Sequence, residues 1–313
     1  ENQKNREQKK WKENDVYKET CVCKGTGDRM YQPIEIIDGG NKIEKKRHIK
    51  LKKYFAQRER LLTKHDEGAW LDEESWYSIT PEQLAKEQAR HCCERGDQLI
   101  IWDMFTGCGG NLIAFANEKN VKHVIGTEIE KERLKAAAHN LKCIYKKKEE
   151  TQCNLYPYNC MDILEEILDT YQPHVLYISP PWGGPEYLKK KEYTIEDMPF
   201  PIRELIQRIN KWGAEKQYEP EYCIFLPKNA SLNSFISLFP SDVPIEYQQN
   251  LYNNVPKGIT MYVGYHVVEN QWKALPIPFE EKHQQQQQPY EQQQYKQQQY
   301  EQQQQNEQQF YIY

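Results

Sequence analysis

The sequence contains no Cys-x-x-Cys pair. Its nine cysteines include Cys21 and Cys23, one residue apart, the adjacent Cys92 and Cys93, and five scattered others. That spacing offers neither a zinc site nor a disulfide framework, so no metal is expected and a reducing compartment is the default. Long apolar runs are missing too. No stretch approaches the roughly 20 apolar residues of a membrane span, and no signal peptide is legible, so no membrane partner is expected. A Walker-type phosphate loop is absent, because the densest glycine cluster, Thr106-Gly107-Cys108-Gly109-Gly110-Asn111, is followed by no Lys-Ser/Thr. The chain opens on Glu1 without an initiator Met, as a fragment of a longer protein would.

What is present suffices for one sizeable domain with extensions: 313 residues, 38% hydrophobic, with a formal net charge of -4. Residues 1–50 are polar, lysine-rich and without periodicity, the pattern of a disordered arm. From His283 to Tyr313 glutamine dominates, with Tyr290, Tyr295 and Tyr300 at five-residue spacing. Such a segment buries too little apolar surface to offset its ordering entropy, so 271–313 reads as a disordered tail. Between Lys42 and Arg60 nine Lys/Arg stand against two Glu. This basic run is either a solvated face or the electrostatic footprint of a polyanion site, and the overall balance would hide the latter.

Between these extensions, LKKYFAQRERLLTKHDEG predicts a short amphipathic helix over Leu51–Gly68. Thr80-Pro81-Glu82-Gln83 reads as a helix start, with Thr80 as N-cap and Gln83 closing a capping box, the helix running to about Arg95. Residues 51–96 thus form a small helical lobe. From 97 to about 270 strands and helices alternate. The expected strands are 99–105, 123–129, 154–160, 174–178 and 222–226, with helices over 111–119, 131–145, 163–171, 201–212 and 231–238. A closing antiparallel hairpin covers 245–251 and 259–267. This grammar implies an α/β fold with a mostly parallel sheet, whose ligands bind beyond the carboxyl ends of the strands.

Three such ends carry acids. Asp103 follows the first strand, Glu128 the second and Asp162 the third. Singly, each is an ordinary helix N-cap. Together, around one glycine turn with no phosphate-binding signature, they suit a nucleoside with a cationic amino-acid tail. Asp103 would receive the ammonium, Glu128 a ribose diol and Asp162 an adenine amine. That ligand is S-adenosylmethionine (AdoMet).

The fourth strand delivers Ser179-Pro180-Pro181-Trp182-Gly183-Gly184-Pro185-Glu186-Tyr187. The motif is similar to the Asp/Asn-Pro-Pro-aromatic loop of AdoMet-dependent amino methyltransferases, with serine replacing the acid or amide. That replacement points away from the adenine N6 amine. DMFTGCGGN, SITPE (78–82), KYFAQRERL (53–61), SPPWGGP and FLPKNA (225–230) together resemble the trimethylguanosine synthase family of RNA cap guanosine-N2 methyltransferases, over about 51–268. The resemblance implies a Rossmann-like class I AdoMet-dependent methyltransferase with a seven-stranded sheet and the N-terminal lobe over the site. It implies that Trp182 stacks on 7-methylguanine and that Ser179 and Pro180 flank the N2 amine. Asp103, Thr106, Gly107, Gly109, Asn111, Glu128, Asp162 and Ser179 fall to the cofactor, with Phe55 and Thr80 closing the pocket. Lys53, Tyr187, Lys228 and Asn229 fall to the cap and its phosphates.

Three positions depart from the family pattern: Glu128 stands for Asp, Lys228 for Arg and Phe55 for Trp. Charge or aromaticity is kept at each, though Lys228 lacks the bidentate fork of arginine. The implied partners are m7G-capped small nuclear and nucleolar RNAs and ribonucleoprotein proteins. The implied location is the nucleus, in nucleolus or nuclear bodies, with a cytoplasmic pool as an alternative. The basic stretch before Arg60 then favours RNA phosphates. No general base is assigned, and His123 and His174 read as structural. An adenine N6 methyltransferase and a non-catalytic cap-binding subunit are the rival readings. SPPW in place of DPPY counts against the first, and intact Asp103, Glu128 and Ser179 against the second.

Overall fold

The computed structural model describes residues 51, 54–94, 96–145, 150–252, 255–264 and 273–276. The polar arm, Lys53 and nearly all of the Gln-rich tail lie outside the described residues. In chain order the elements are α1 (Arg58–Leu61), α2 (Ser75–Ser78), α3 (Glu82–Cys93), β1 (Leu99–Asp103), α4 (Gly110–Ala116), β2 (Val121–Thr127), α5 (Lys131–His139), β3 (Gln152–Tyr156), α6 (Leu164–Tyr171), β4 (Val175–Ile178), α7 (Ile202–Lys216), β5 (Glu221–Pro227), α8 (Leu232–Ile236), β6 (Ile245–Tyr252), β7 (Val255–Val263) and β8 (Lys273–Pro276).

The strands form one sheet in the order β3-β2-β1-β4-β5-β7-β6-β8. β1 to β5 are parallel, and β7 runs antiparallel between β5 and β6. The seven strands expected are present, and the short β8 adds an eighth at the edge. β1 (LIIWD) is apolar almost throughout because a central parallel strand is buried on both faces. Trp102, Ile125, Leu176 and Ile224 of the sheet pack with Leu164, Ile167, Ile202 and Ile209 of α6 and α7 in one core. The chain builds β1, β2 and β3 outward, then returns across β1 to start β4. A topological switch therefore lies between β1 and β4, where a crevice opens at the strand ends.

Several element boundaries differ from expectation, for identifiable reasons. Leu51–Gly68 is not one helix but a series of short turns, including α1 and a 3-10 turn over His65–Glu67. Gly68 does end it, in the left-handed conformation at φ 104°. The capping box is not made: Pro81 is the N-cap of α3, and no side chain caps the helix. Thr80 is buried instead and faces the crevice. Glu82 accepts from the Thr63 amide at 2.7 Å and from the Tyr145 hydroxyl at 2.8 Å, tying α3 to the chain before it and to the segment that follows α5.

The expected helix 131–145 changes to a π-helical turn over Asn140–Ile144. There the buried Asn140 side chain accepts from the Trp70 amide at 2.7 Å and donates to the Trp70 and Cys108 carbonyls, each at 2.9 Å. This residue pins the N-terminal segment to the glycine turn. Gly126 in β2 is required by close approach: a Cβ there would lie 2.7 Å from Thr106 Oγ1 and 2.8 Å from Leu155 Cδ2.

Candidate active site

A cavity of about 550 Å³ opens at the carboxyl ends of β1, β2 and β4. Asp103, the last residue of β1, is its deepest charge. The Phe105 amide donates to Asp103 Oδ1 at 3.4 Å, while the buried Oδ2 has no partner. Burial, reinforced by the charge of Glu128, pushes this carboxyl up to about 7. Thr106 anchors the turn by donating to the Asp103 carbonyl at 3.1 Å. Gly107 (φ 53°) and Gly109 (φ 92°) take left-handed conformations, and a Cβ on Gly109 would press within 3.2 Å of Ala137.

Glu128, just past β2, faces the same cavity. Its Oε2 accepts from the Gly107 amide and its Oε1 from the Glu130 amide, both at 3.0 Å. Burial is the main force raising its pKa, against those amides and Arg133. Arg133 bridges this acid to the N-terminal segment. Its guanidinium lies 2.9 Å from Asp72, 2.6 Å from Glu74 and 3.9 Å from Glu128. Asn111 donates to Gln88 Oε1 at 2.8 Å, and Tyr177 donates to the same atom at 3.1 Å. Gln88 in turn donates to Thr260 Oγ1 at 2.8 Å, so one buried amide links α3, α4, β4 and β7. Cys108 lies 2.8 Å from Ser75 Oγ, and burial pushes its thiol up to about 12. It is a neutral packing group, not a nucleophile.

The opposite wall is aromatic. Ser179 and Pro180 continue from β4 into the cavity lining, and Trp182 follows. Trp182 Nε1 donates to the Phe225 carbonyl at 3.3 Å, and Tyr193 donates to the Trp182 carbonyl at 3.3 Å. The indole packs against Tyr187 edge-on (5.3 Å, 85°) and against Phe225 at a tilt (5.2 Å, 58°). Gly183 and Gly184 turn the chain at φ 87° and 70°. Asn229 locks the far side of the loop by donating to the carbonyls of Tyr187 at 3.1 Å and Lys190 at 2.9 Å.

Of the residues singled out in the sequence, Thr80, Asp103, Thr106, Gly107, Asn111, Glu128, Ser179, Pro180, Trp182 and Tyr187 line one cavity. Asp162 does not. It is exposed in the turn after β3, where its amide bonds back to the Asn159 carbonyl, and Tyr158, Asn159 and Cys160 line the cavity instead. Phe55 packs on His65 and Trp76 beneath the lobe, outside the lining. Gly109 shapes the turn from behind. Lys228 is exposed past the end of β5, and Asn229 spends its amide on the loop.

Sequence reasoning missed Arg133, which looks like a solvent-facing helix charge. It also missed Tyr54, Tyr77 and Ile129, apolar or aromatic walls without a motif. The exposure of Ile129 (62%) and Tyr77 (43%) is the surface signature of an apolar ligand wall. His174 accepts from the Ile100 amide at 3.0 Å, and His123 packs edge-on against Tyr171, away from the strand ends that form the site. Among the described residues no group of three or more His, Cys, Asp or Glu could hold a metal ion.

The donor set fits AdoMet. The orphaned Asp103 Oδ2 awaits a cationic donor, and each Glu128 oxygen keeps a lone pair for a ribose hydroxyl. A parallel sheet with its switch at β1/β4, a glycine turn and these two acids defines a class I AdoMet-dependent methyltransferase. A solved structure of a putative methyltransferase from Porphyromonas gingivalis W83 shares the fold with a TM-score of 0.53 at 14% identity, covering 72% of this chain and 54% of that one.

Residues 98–266 match the RNA cap guanine-N2 methyltransferase family model, and the chain belongs to that family. Two curated relatives carry the name trimethylguanosine synthase. The one from Schizosaccharomyces pombe is 34% identical over 191 residues, spanning 58% of this chain and 72% of the relative. The one from Saccharomyces cerevisiae is 29% identical over 201 residues, spanning 61% of this chain and 60% of the relative. The chain is an AdoMet-dependent RNA cap guanine-N2 methyltransferase.

Proposed function

We propose that this enzyme adds two methyl groups to N2 of the 7-methylguanosine cap, producing 2,2,7-trimethylguanosine on small nuclear and nucleolar RNAs. The observation that carries the reading is Trp182, held rigidly by Phe225, Tyr193 and the prolines around it, beside Ser179 in the cavity wall. A guanine methylated at N7 is cationic, and stacking on an indole face adds a cation–π attraction of about 0.5–2 kcal/mol that unmethylated guanine lacks. N7 methylation is therefore the entry requirement.

Ser179 Oγ and the Pro180 carbonyl are the acceptors for the N2 amine. Neither is a strong base, and the positive charge on the purine acidifies the amine instead. When bound, AdoMet supplies a methyl group on a sulfonium centre. Asp103 holds its ammonium and Glu128 its ribose, while the stacking plate fixes the acceptor, so positioning does most of the catalytic work.

Ribonucleoprotein proteins as partners and a nuclear location, in nucleolus or nuclear bodies, belong to the same proposal. Mass analysis of m7GpppN incubated with protein and AdoMet tests it. Species one and two methyl groups heavier are expected, with no methylation of GpppN or of adenine-containing oligomers. A product that stops at one methyl, or methylation of adenine, would sink the reading.

A further inference from the structure

One buried side chain interrupts the apolar stripe of α3 without lining the cavity. Leu84, Ala85, Ala89, Cys92 and Cys93 form that stripe, and Gln88 stands among them at 0% exposure. A leucine would bury there without desolvating an amide, so the glutamine carries a penalty that its partners must offset. Those partners come from three other elements. Gln88 Oε1 accepts from Asn111 Nδ2 of α4 at 2.8 Å and from the Tyr177 hydroxyl of β4 at 3.1 Å. Gln88 Nε2 donates at 2.8 Å to Thr260 Oγ1 of β7, which also accepts from Asn250 Nδ2 of β6 at 2.8 Å.

Two of these partners belong to the two walls of the cavity. Asn111 lines it from the start of α4. With Nδ2 held by an acceptor, the polar atom that Asn111 leaves for the cavity is Oδ1. An acceptor is the polarity a cofactor ammonium needs, since its N–H groups outnumber what the orphaned Asp103 Oδ2 takes by itself. Tyr177 stands opposite Asp103 in the β1–β4 ladder, so both side chains leave the sheet on one face. It precedes Ser179 by two residues, and its ring packs on Phe115 of α4 (5.5 Å, 64°). Gln88 thus grips the cofactor helix with one bond and the acceptor strand with another, while Thr260 anchors it to the antiparallel half of the sheet.

We infer that Gln88 is a positioning residue for methyl transfer: through Asn111 and Tyr177 it fixes the cofactor helix against the acceptor strand and turns Asn111 Oδ1 toward the ammonium. The inference rests on the reading of Ser179 as the neighbour of the N2 amine and deepens it. Transfer needs that amine in line with the methyl–sulfur bond, so the spacing of the two walls enters the rate directly. A misplacement of about 1 Å costs up to about 100-fold. A hub that touches neither ligand therefore governs the rate on bound substrates more than either affinity.

The test compares full-length wild type with Gln88→Met, Tyr177→Phe and the double variant, with m7GpppG as acceptor. Methionine keeps the volume and removes both polar ends, and phenylalanine removes one hydroxyl. At saturating AdoMet and m7GpppG the single-turnover rate should fall about 10–50-fold in Gln88→Met and about 3–10-fold in Tyr177→Phe. AdoMet binding, read by calorimetry, should weaken about 3–10-fold in Gln88→Met through the released Asn111, with m7GpppG binding within about twofold. The double variant should be no slower than Gln88→Met, because both changes disable one hub. Rate losses that multiply, or melting temperatures that fall while the saturated rate holds, would make Gln88 a folding residue and overturn the inference. If Gln88→Met does not fold, Tyr177→Phe decides alone, and an unchanged rate there overturns the positioning role. If wild type binds AdoMet but does not methylate m7GpppG, the cap reading falls by itself. AdoMet affinity then still reports on the hub, which an undiminished affinity in Gln88→Met would overturn as well.

Discussion

The two walls of the cavity are built from opposite materials. The cofactor wall holds charge: Asp103 with an orphaned oxygen, Glu128 held by two amides, and Arg133 shared among three acids. The acceptor wall holds rings and prolines, and the Trp182 indole N–H, the Tyr193 hydroxyl and the Asn229 amide are spent on keeping the loop still. A cationic cofactor tail needs buried anions. A cationic, flat purine needs a π-face and tolerates no competing carboxylate that would draw it off the plate. The difference teaches that one positive charge can be recognised in two ways within a single cavity, by ionic pairing or by quadrupole, and that the choice keeps the two ligands from exchanging places.

If the walls are independent, damage to one should spare the other. The largest effect is expected from Trp182→Ala: cap methylation should fall more than about 100-fold while AdoMet affinity, measured calorimetrically, stays within about twofold. Equal loss of both would make Trp182 a folding residue.

Asp103→Asn comes next and acts on the other wall. AdoMet affinity should drop about 30–100-fold through loss of a buried ionic partner, with m7GpppG binding preserved. The sign of its pH dependence is fixed by the raised pKa of about 7. Below that value the carboxyl is neutral and cannot pair with an ammonium. Wild-type affinity should therefore fall toward about tenfold per pH unit below about 7, and the variant should lose that slope. In the ligand-free fold the same shift means stability decreases as pH rises through about 7, because the folded state must surrender a proton that the unfolded chain lost earlier. Ligand-free Asp103→Asn should accordingly melt higher than wild type at pH 8, by scanning calorimetry.

Arg133→Ala should weaken AdoMet binding about tenfold by releasing Glu128 and the Asp72–Glu74 segment together, and Arg133→Lys should recover only part of it. The smallest effect is expected from Asn229→Ala. Loosening the loop should raise KM for m7GpppG about 3–5-fold with AdoMet binding unchanged. A larger effect on AdoMet than on cap in that variant would break the division between the walls.

Much of this was legible before any coordinates. Alternation of apolar strands with helices gives the parallel sheet, and the glycine turn and SPPWGGP mark the two walls. The strand ends were read too long at Phe105, Ile129 and Cys160. The apolar run does not stop where the ladder stops, since Met104, Phe105 and Ile129 leave the sheet only to line the cavity. Asp162 is exposed in the turn after β3, and Tyr158, Asn159 and Cys160 line the cavity there, because a turn of a few residues decides which of them border it and spacing alone does not encode that. Arg133 was invisible because its meaning lies in Asp72 and Glu74, about sixty residues away. Long-range partners of that kind are fixed by tertiary packing, not by local pattern.

The Asn140 joint bears on traffic through the enzyme. With its side chain bonded to both Trp70 and Cys108, the segment around Trp70 cannot swing off the glycine turn as a rigid door without stranding buried polar groups. The exposed part of the cavity wall lies elsewhere, at Tyr77 and Ile129, where ligand exchange leaves those buried bonds intact. Adding two methyl groups to one cap takes two cofactor molecules, and so one exchange of spent for fresh cofactor between the transfers.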